Sequence, residues 1–133
     1  MDIRQLAHEP YAEDVQPLAL ENTDFRRVLK TTERSQLVLM CVPSGGEIGA
    51  ETHPGNDQIL SFVQGSGHAV LENTRLSVSA GMVVVVPAGT RHNFVADSGD
   101  ALKLFTIYAP PHHRPGTVHK TKADADADTL DAY

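Results

Sequence analysis

The chain has 133 residues, of which 41% are hydrophobic and 21% charged, and its formal net charge is −6 at pH 7. This length and composition predict one globular domain with its own core. The negative charge argues against a nucleic acid or an anionic membrane as partner, because both require clustered Lys and Arg. The single cysteine, Cys41, excludes an intramolecular disulfide framework.

Targeting signals are not evident in the sequence. Residues 1–10 contain Asp2, Arg4 and Glu9 and no apolar run, so they do not resemble a signal peptide. No apolar run approaches the ~20 residues that a membrane-spanning helix needs. We therefore expect a cytoplasmic protein that does not associate with membranes.

The first 24 residues are polar, are interrupted by Pro10 and Pro17, and show no steady hydrophobic period. They predict an irregular N-terminal arm with at most one short strand. Such an arm either packs along the domain or crosses to a second subunit.

Short strand-like runs separated by turn residues follow as far as residue 109. The expected strands are residues 25–31, 36–42, 48–53, 58–63, 68–71, 75–78, 83–86, 91–95 and 102–108. None of the segments between them has the period of an amphipathic helix. This spacing is typical of an antiparallel sandwich or a small barrel, so residues 25–109 are the expected all-β domain.

Residues 110–133 form the expected C-terminal tail. Pro110, Pro111 and Pro115 cannot continue a central strand, because proline lacks the N–H that the ladder requires. Thr121 is a candidate N-cap for a short helical turn, and disorder is the alternative. The tail histidines are not expected to form a second metal site, because such loops hold ligands poorly.

A cluster of metal-binding side chains is predicted around residues 51–58. Glu51 and His53 lie two positions apart, so an extended backbone places them on the same face. Gln58 follows a Pro-Gly bend, and His92 follows a second glycine-rich strand end. Two imidazoles, a carboxylate and an amide oxygen form a suitable ligand set for a divalent transition metal. The alternatives are a pair of hydrogen-bonded buried histidines, a Glu51 that is not a ligand, and a Gln58 that binds substrate.

The first of these segments resembles the first motif of the cupin superfamily, which runs Gly, five residues, His-x-His, three or four residues, Glu, six residues and Gly. Here Gly45 is followed after five residues by Glu51 and His53. Gln58 comes four residues later, and Gly65 six residues beyond it. Glutamate thus replaces the first histidine, and glutamine replaces the usual glutamate.

The second segment resembles the second motif of the same superfamily, which runs Gly, five residues, Pro-x-Gly, two residues, His, three residues and Asn. Gly81, Pro87, Gly89 and His92 match it in register, whereas Ala96 stands in the Asn position. The short segment between the motifs is similar to that of small single-domain bacterial cupins.

This resemblance implies a double-stranded β-helix, or jelly-roll barrel, with a metal near its middle and often a homodimer. The implied ligands are Glu51, His53, Gln58 and His92, and the implied metal is Mn, Fe, Ni or Zn. Gln58 is a neutral and weaker ligand than glutamate, so we expect a lower metal affinity than that of the usual set.

The implied function is that of an enzyme acting on a small polar organic acid, sugar or enol through metal chelation. Dioxygenation, isomerisation or epimerisation, and decarboxylation are all known reactions of the superfamily. Glu51, if it can leave the metal, is the expected general base, with a pKa raised by burial. The alternative is a non-catalytic ligand-binding cupin with a degenerate or empty site. A regulatory module ranks last, because the chain has no helix-turn-helix.

Overall fold

The computed structural model describes residues 7–131, and within them strands predominate. The strands are β1 (Arg26–Thr31), β2 (Gln36–Val42), β3 (Asp57–Gln64), β4 (Ser66–Leu71), β5 (Thr74–Ser79), β6 (Val83–Val86), β7 (His92–Ala96), β8 (Leu102–Ala109) and β9 (Val118–His119). The helices are α1 (Val15–Glu21) and α2 (Lys122–Ala127). Neither described helix has the length and apolar run of a membrane span.

The strands form two antiparallel sheets. The larger has the order β6-β3-β8-β2-β1-β9, and the smaller has the order β5-β4-β7. The longest pairings join strands that are far apart in sequence, as in β2 and β8, where Gln36 faces Tyr108 and Val42 faces Leu102. The prediction of an all-β jelly roll is confirmed.

The core lies inside the barrel because the strands alternate inward apolar and outward polar positions. In β8 every second residue from Leu102 to Tyr108 is buried. Gln36, Gln58 and Thr106 are buried polar residues among these inward positions. The interior therefore includes a polar region as well as an apolar core.

Most expected strands are confirmed to within one or two residues at each end. The exception is residues 48–53, expected as a strand, which make only isolated bridges. Glu47 pairs with Val95, and Glu51 pairs with His92. This segment crosses to the edge of β7 instead of joining a continuous ladder.

The arm contains a helix where we expected at most a short strand. α1 has two turns, too few for a clear helical period in the sequence. Pro17 is tolerated because it lies in the first turn, where backbone N–H groups have no partner within the helix. Lys103 Nζ donates to the Leu20 carbonyl at 2.6 Å, which ties the end of the helix to β8. Residues 1–6 of the expected arm lie outside the described part of the chain.

The tail is more ordered than the sequence indicates. β9 pairs with β1, where His119 faces Arg26. Thr121 accepts a hydrogen bond from the Asp124 N–H at 3.1 Å and caps α2 as predicted. A two-residue strand carries no detectable period, so β9 was not foreseeable.

Candidate metal centre

Backbone hydrogen bonds bring the two glycine-rich segments together. The N–H of Glu51 donates to the carbonyl of His92, and the N–H of His92 donates to the carbonyl of Glu51, both at 2.9 Å. The N–H of Gly89 donates to the carbonyl of His53 at 2.9 Å. These three bonds fix the relative positions of side chains that are about 40 residues apart in sequence.

Glu51, His53 and His92 form the candidate metal centre. One ligand atom from each of them lies within 4.8 Å of the other two. Glu51 Oε2 is 3.0 Å from His53 Nε2, so one metal ion about 2 Å from each atom could bind both. His53 and His92 are buried, whereas the Glu51 side chain is 35% exposed.

The His53 Nε2 atom is buried and has no aligned hydrogen bond among the described residues, despite its proximity to Glu51. The two groups nevertheless interact, because His53 lowers the pKa of Glu51, and they are close enough to bind one ion together. That arrangement suits two ligands of one ion.

A nearby backbone carbonyl orients the ring of His92 for metal binding. Its Nδ1–H donates to the Thr90 carbonyl at 2.9 Å, which leaves the Nε2 lone pair available. Burial lowers the pKa of His92, and this outweighs the opposing effect of the Thr90 hydrogen bond. The ring is therefore neutral at pH 7, as a ligand must be.

The amide of Gln58 is oriented by Thr106. The Thr106 hydroxyl donates to the Ile59 carbonyl at 2.9 Å, so its oxygen must accept from Gln58 Nε2, at 3.2 Å. Gln58 Oε1 therefore points the other way, and it is buried without a partner among the described residues. In register Gln58 lies beside Tyr108, whose ring is 5.8 Å from that of His53.

A buried imidazole nitrogen of His53 and a buried amide oxygen of Gln58, together with a carboxylate and the neutral ring of His92, fit a divalent transition metal. Asp57, the neighbouring carboxylate, does not take the place of Gln58. Its Oδ1 accepts from the Ala88 N–H at 2.9 Å on the outer side of the strand.

The expectation of a raised pKa for Glu51 is wrong in its net direction. Burial alone raises the pKa of this carboxyl, but the adjacent His53, with Arg26 and His92, outweighs it. The pKa of Glu51 lies below its ordinary value, so the group is a carboxylate at neutral pH. This favours a ligand or a proton acceptor over a proton donor.

His112 is a residue of this site that the sequence did not indicate. Its ring centroid lies 4.2 Å from that of His53, and its ring stacks on Tyr108 at 5.4 Å. The backbone N–H groups of His112 and His113 donate to Gln36 Oε1 at 3.2 and 2.9 Å. The start of the tail therefore covers one side of the candidate metal centre.

A second cluster in the tail comprises His119, Asp128 and Asp131. Arg26 Nη1 donates to His119 Nδ1 at 3.2 Å, because arginine has no lone pair to offer. The proton of His119 then lies on Nε2, which donates to Asp128 Oδ2 at 2.9 Å. His113 Nδ1 similarly donates to Asp131 Oδ2 at 2.7 Å. These are hydrogen bonds that hold the tail, and the nearby guanidinium disfavours a cation.

The chain is similar to a known protein family, to two uncharacterized proteins and to a solved crystal structure. The Cupin domain family matches residues 38–108, more than half of the chain. Uncharacterized protein YrkC of Bacillus subtilis (strain 168) is 38% identical over 131 residues, which cover 94% of this chain and 70% of YrkC. Uncharacterized protein L612 of Acanthamoeba polyphaga mimivirus is 37% identical over 115 residues, covering 84% and 72%. The crystal structure of BH2720 from Bacillus halodurans is similar with a TM-score of 0.88 and 36% identity, covering 90% of this chain and 96% of that chain.

Proposed function

Because this chain belongs to the cupin family, we propose that it is a small metal-binding enzyme acting on a small polar organic acid, sugar or enol. The observation that carries this proposal is the convergence of Glu51, His53 and His92, since one ligand atom of each lies within 4.8 Å of the other two. The buried Gln58 Oε1, which has no partner among residues 7–131, supports the proposal as well, because buried polar atoms are almost always paired.

The proposed ligands are Glu51, His53, Gln58 and His92, and the proposed metal is Mn, Fe, Ni or Zn. When bound, such a metal supplies Lewis-acid polarisation of a carbonyl or enolate. The Thr90 carbonyl fixes the ring of His92, and Thr106 fixes the amide of Gln58, so neither side chain must reorganise to bind.

Glu51 is also the proposed catalytic base, in a state in which its carboxylate has left the metal. Its lowered pKa keeps it ionised at pH 7, and its partial exposure lets it reach a ligand at the mouth of the barrel. A carboxylate in this state accepts a proton from a substrate carbon or hydroxyl and returns it later in the cycle. Residues 25–109 would provide the barrel, with the tail as its partial cover.

Two further features belong to the proposal. A homodimer would cover the exposed valines Val83 and Val85 on β6, an edge strand of the larger sheet. A cytoplasmic location fits a chain whose one cysteine, Cys41, is buried and unpaired. Light scattering across micromolar concentrations tests the dimer, and a monomer throughout that range would contradict it.

The activity is tested by incubating protein loaded separately with Fe, Mn, Ni or Zn with hydroxy acids, keto acids and sugars, and by following product formation. Metal-dependent turnover is expected with at least one pairing. Glu51→Gln should abolish it, because the amide cannot accept the proton. Glu47→Gln is the matched control, since Glu47 lies on the same segment but is exposed and bonded to Asn93.

The second candidate is a non-catalytic ligand-binding cupin. The amide of Gln58 favours it, because a neutral ligand in a usually anionic position weakens metal binding. Metal-dependent stabilisation by a ligand without turnover in any metal form would select this candidate. A ligand at 100 times its dissociation constant adds ~2.7 kcal/mol to the free energy of unfolding.

A further inference from the structure

Arg26 is a charged side chain inside the barrel. It is only 5% exposed, whereas the next residue, Arg27, is exposed on the outer face of β1. The strand alternation thus turns one arginine inward and the other outward. Arg26 Nε is one of the buried polar atoms that have no hydrogen-bond partner among the described residues.

The guanidinium of Arg26 is not neutralised by a close carboxylate. Its Nη1 donates to His119 Nδ1 at 3.2 Å, and its Cζ lies 5.3 Å from the centre of the Phe25 ring. Among residues 7–131, no Asp or Glu oxygen lies within the 4.0 Å of an ion pair with it. A buried cation without a close anion is costly, and an anion bound beside the guanidinium would offset that cost.

Arg26 is also adjacent to the candidate metal centre. Its guanidinium interacts with the hydroxyl of Tyr108, whose ring lies 5.8 Å from that of His53 and stacks on His112. Its charge contributes to lowering the pKa of both Glu51 and His112. Arg26 and the metal centre therefore face the same part of the barrel interior.

We propose that Arg26 binds the carboxylate of an organic acid whose other end lies at the metal centre. This inference rests on the proposed function and narrows its substrates from acids, sugars and enols to acids. With Nη1 held by His119, the edge formed by Nε and Nη2 is the one that would meet a carboxylate. Arginine binds carboxylates through two parallel N–H bonds, which gives both affinity and orientation.

The test compares three acids with their uncharged amides: glycolate with glycolamide, lactate with lactamide, and malate with malamide. Dissociation constants are measured by ligand-observed NMR on the full chain, in metal-free and zinc-loaded forms. The wild-type protein is expected to prefer at least one acid over its amide by about tenfold or more. Arg26→Met should abolish that preference, and Arg27→Met, the matched control, should retain it.

Stability measurements show whether a variant that loses acid binding is still folded. Arg26→Met removes a costly buried charge but also the hydrogen bond to His119, so the unfolding temperature of each variant is measured alongside its binding. Should Arg26→Met fail to fold, Arg26→Lys provides the test, since it retains the charge but loses the fork and should weaken acid binding several-fold.

Equal acid affinity in wild-type and Arg26 variants, or no preference for any acid over its amide, would overturn the inference. Binding measured on the metal-free protein distinguishes a failure of this inference from a failure of the proposed function. An acid preference that depends on Arg26 in metal-free protein supports the inference even where no metal-dependent activity is found.

Discussion

Four buried side-chain atoms lack a hydrogen-bond partner among residues 7–131: Arg26 Nε, His53 Nε2, Gln58 Oε1 and His113 Nε2. They are not scattered through the core. The His53 ring makes an edge contact with Tyr108, which also contacts His113 and interacts with Arg26. Gln58 faces Tyr108 across the ladder. At the scale of single residues, these four atoms without partners therefore lie around one part of the barrel interior.

Gln58→Glu tests the role of the amide. A carboxylate is a stronger ligand for a divalent metal than an amide oxygen, so we expect metal affinity to rise on the order of tenfold. The metal-free variant should lose about 1–3 kcal/mol of unfolding free energy, because it buries a charge without a cation. Competition with a chromophoric chelator measures the first effect, and chemical denaturation measures the second.

Gln64→Glu is the control for this substitution, since Gln64 ends the same strand and donates to the Ala101 carbonyl away from the site. Unchanged metal affinity in Gln58→Glu would place residue 58 outside the metal's reach.

The sequence predicted part of the site for a clear reason. Glu51, His53 and His92 stand at fixed distances from glycines and prolines, and that spacing is readable without a structure. Arg26 was not foreseeable, because Arg26 and Arg27 are adjacent and nothing in the sequence shows which one is buried. His112 was missed because its approach to His53 depends on how the tail folds back.

At the scale of elements, the contact between β2 and the tail depends on one side chain. Gln36 accepts from the N–H groups of His112 and His113, and its Nε2 donates to the His113 carbonyl at 2.7 Å and to Thr31 Oγ1 at 2.8 Å. A single buried amide thereby satisfies three backbone groups of a segment that has no strand or helix of its own. Together with the bonds from Asn56 Nδ2 to the Pro110 and Pro111 carbonyls, at 2.6 and 3.3 Å, these bonds hold the start of the tail beside the metal centre.

Gln36→Ala should destabilise the protein by about 2–4 kcal/mol, because it leaves buried backbone groups without partners. Hydrogen exchange should increase most in residues 110–114 if Gln36 holds that segment. Gln64→Ala, which removes one partly buried amide contact, should cost no more than ~1 kcal/mol. An equal effect of the two substitutions would show that the tail is held by other contacts.

The elements themselves were predicted unevenly. β2 and β6 are dense in Val, Leu and Met, and their bounds match the expectation. α1 was missed because its Leu and Ala residues suit a helix while Pro17 indicates a break, and a two-turn helix is too short to decide between them. The tail strand β9 exists only through its pairing with β1, which local sequence does not encode.

At the scale of the whole molecule, the surroundings of the site lower the pKa of several histidines and carboxyl groups. Burial lowers the pKa of His113 from 6.5 to about 4 and also lowers the pKa of His92 and His112. The pKa of Asp131 is lowered as well, since the Arg114 N–H and the His113 ring outweigh its burial. The folded chain therefore binds fewer protons in mild acid than the unfolded chain does.

Stability should accordingly fall as the pH falls. Between about pH 6.5 and pH 4 the unfolded state takes up protons on histidines that remain neutral in the folded state. Below that range, protonation of Glu51 and Asp131 adds to the loss. We expect the unfolding temperature of metal-free protein to drop by several degrees from pH 7 to pH 5.

His113→Gln should weaken this dependence, because it removes a buried titrating group, whereas His8→Gln should not, because His8 is exposed. Thermal unfolding followed by circular dichroism between pH 4 and pH 8 measures both. A stability that rises on acidification would contradict the assignment of neutral histidines.

The metal content of the purified protein tests the account most directly. Protein isolated without chelators or nickel resin, and analysed by mass spectrometry of the elements, should contain about one Fe, Mn, Ni or Zn per chain. His53→Ala and His92→Ala should lose it, whereas His68→Ala should retain it, because His68 lies on β4 beside Arg75, outside the cluster. Wild-type protein that takes up no stoichiometric metal, even when each ion is added back, would contradict the account.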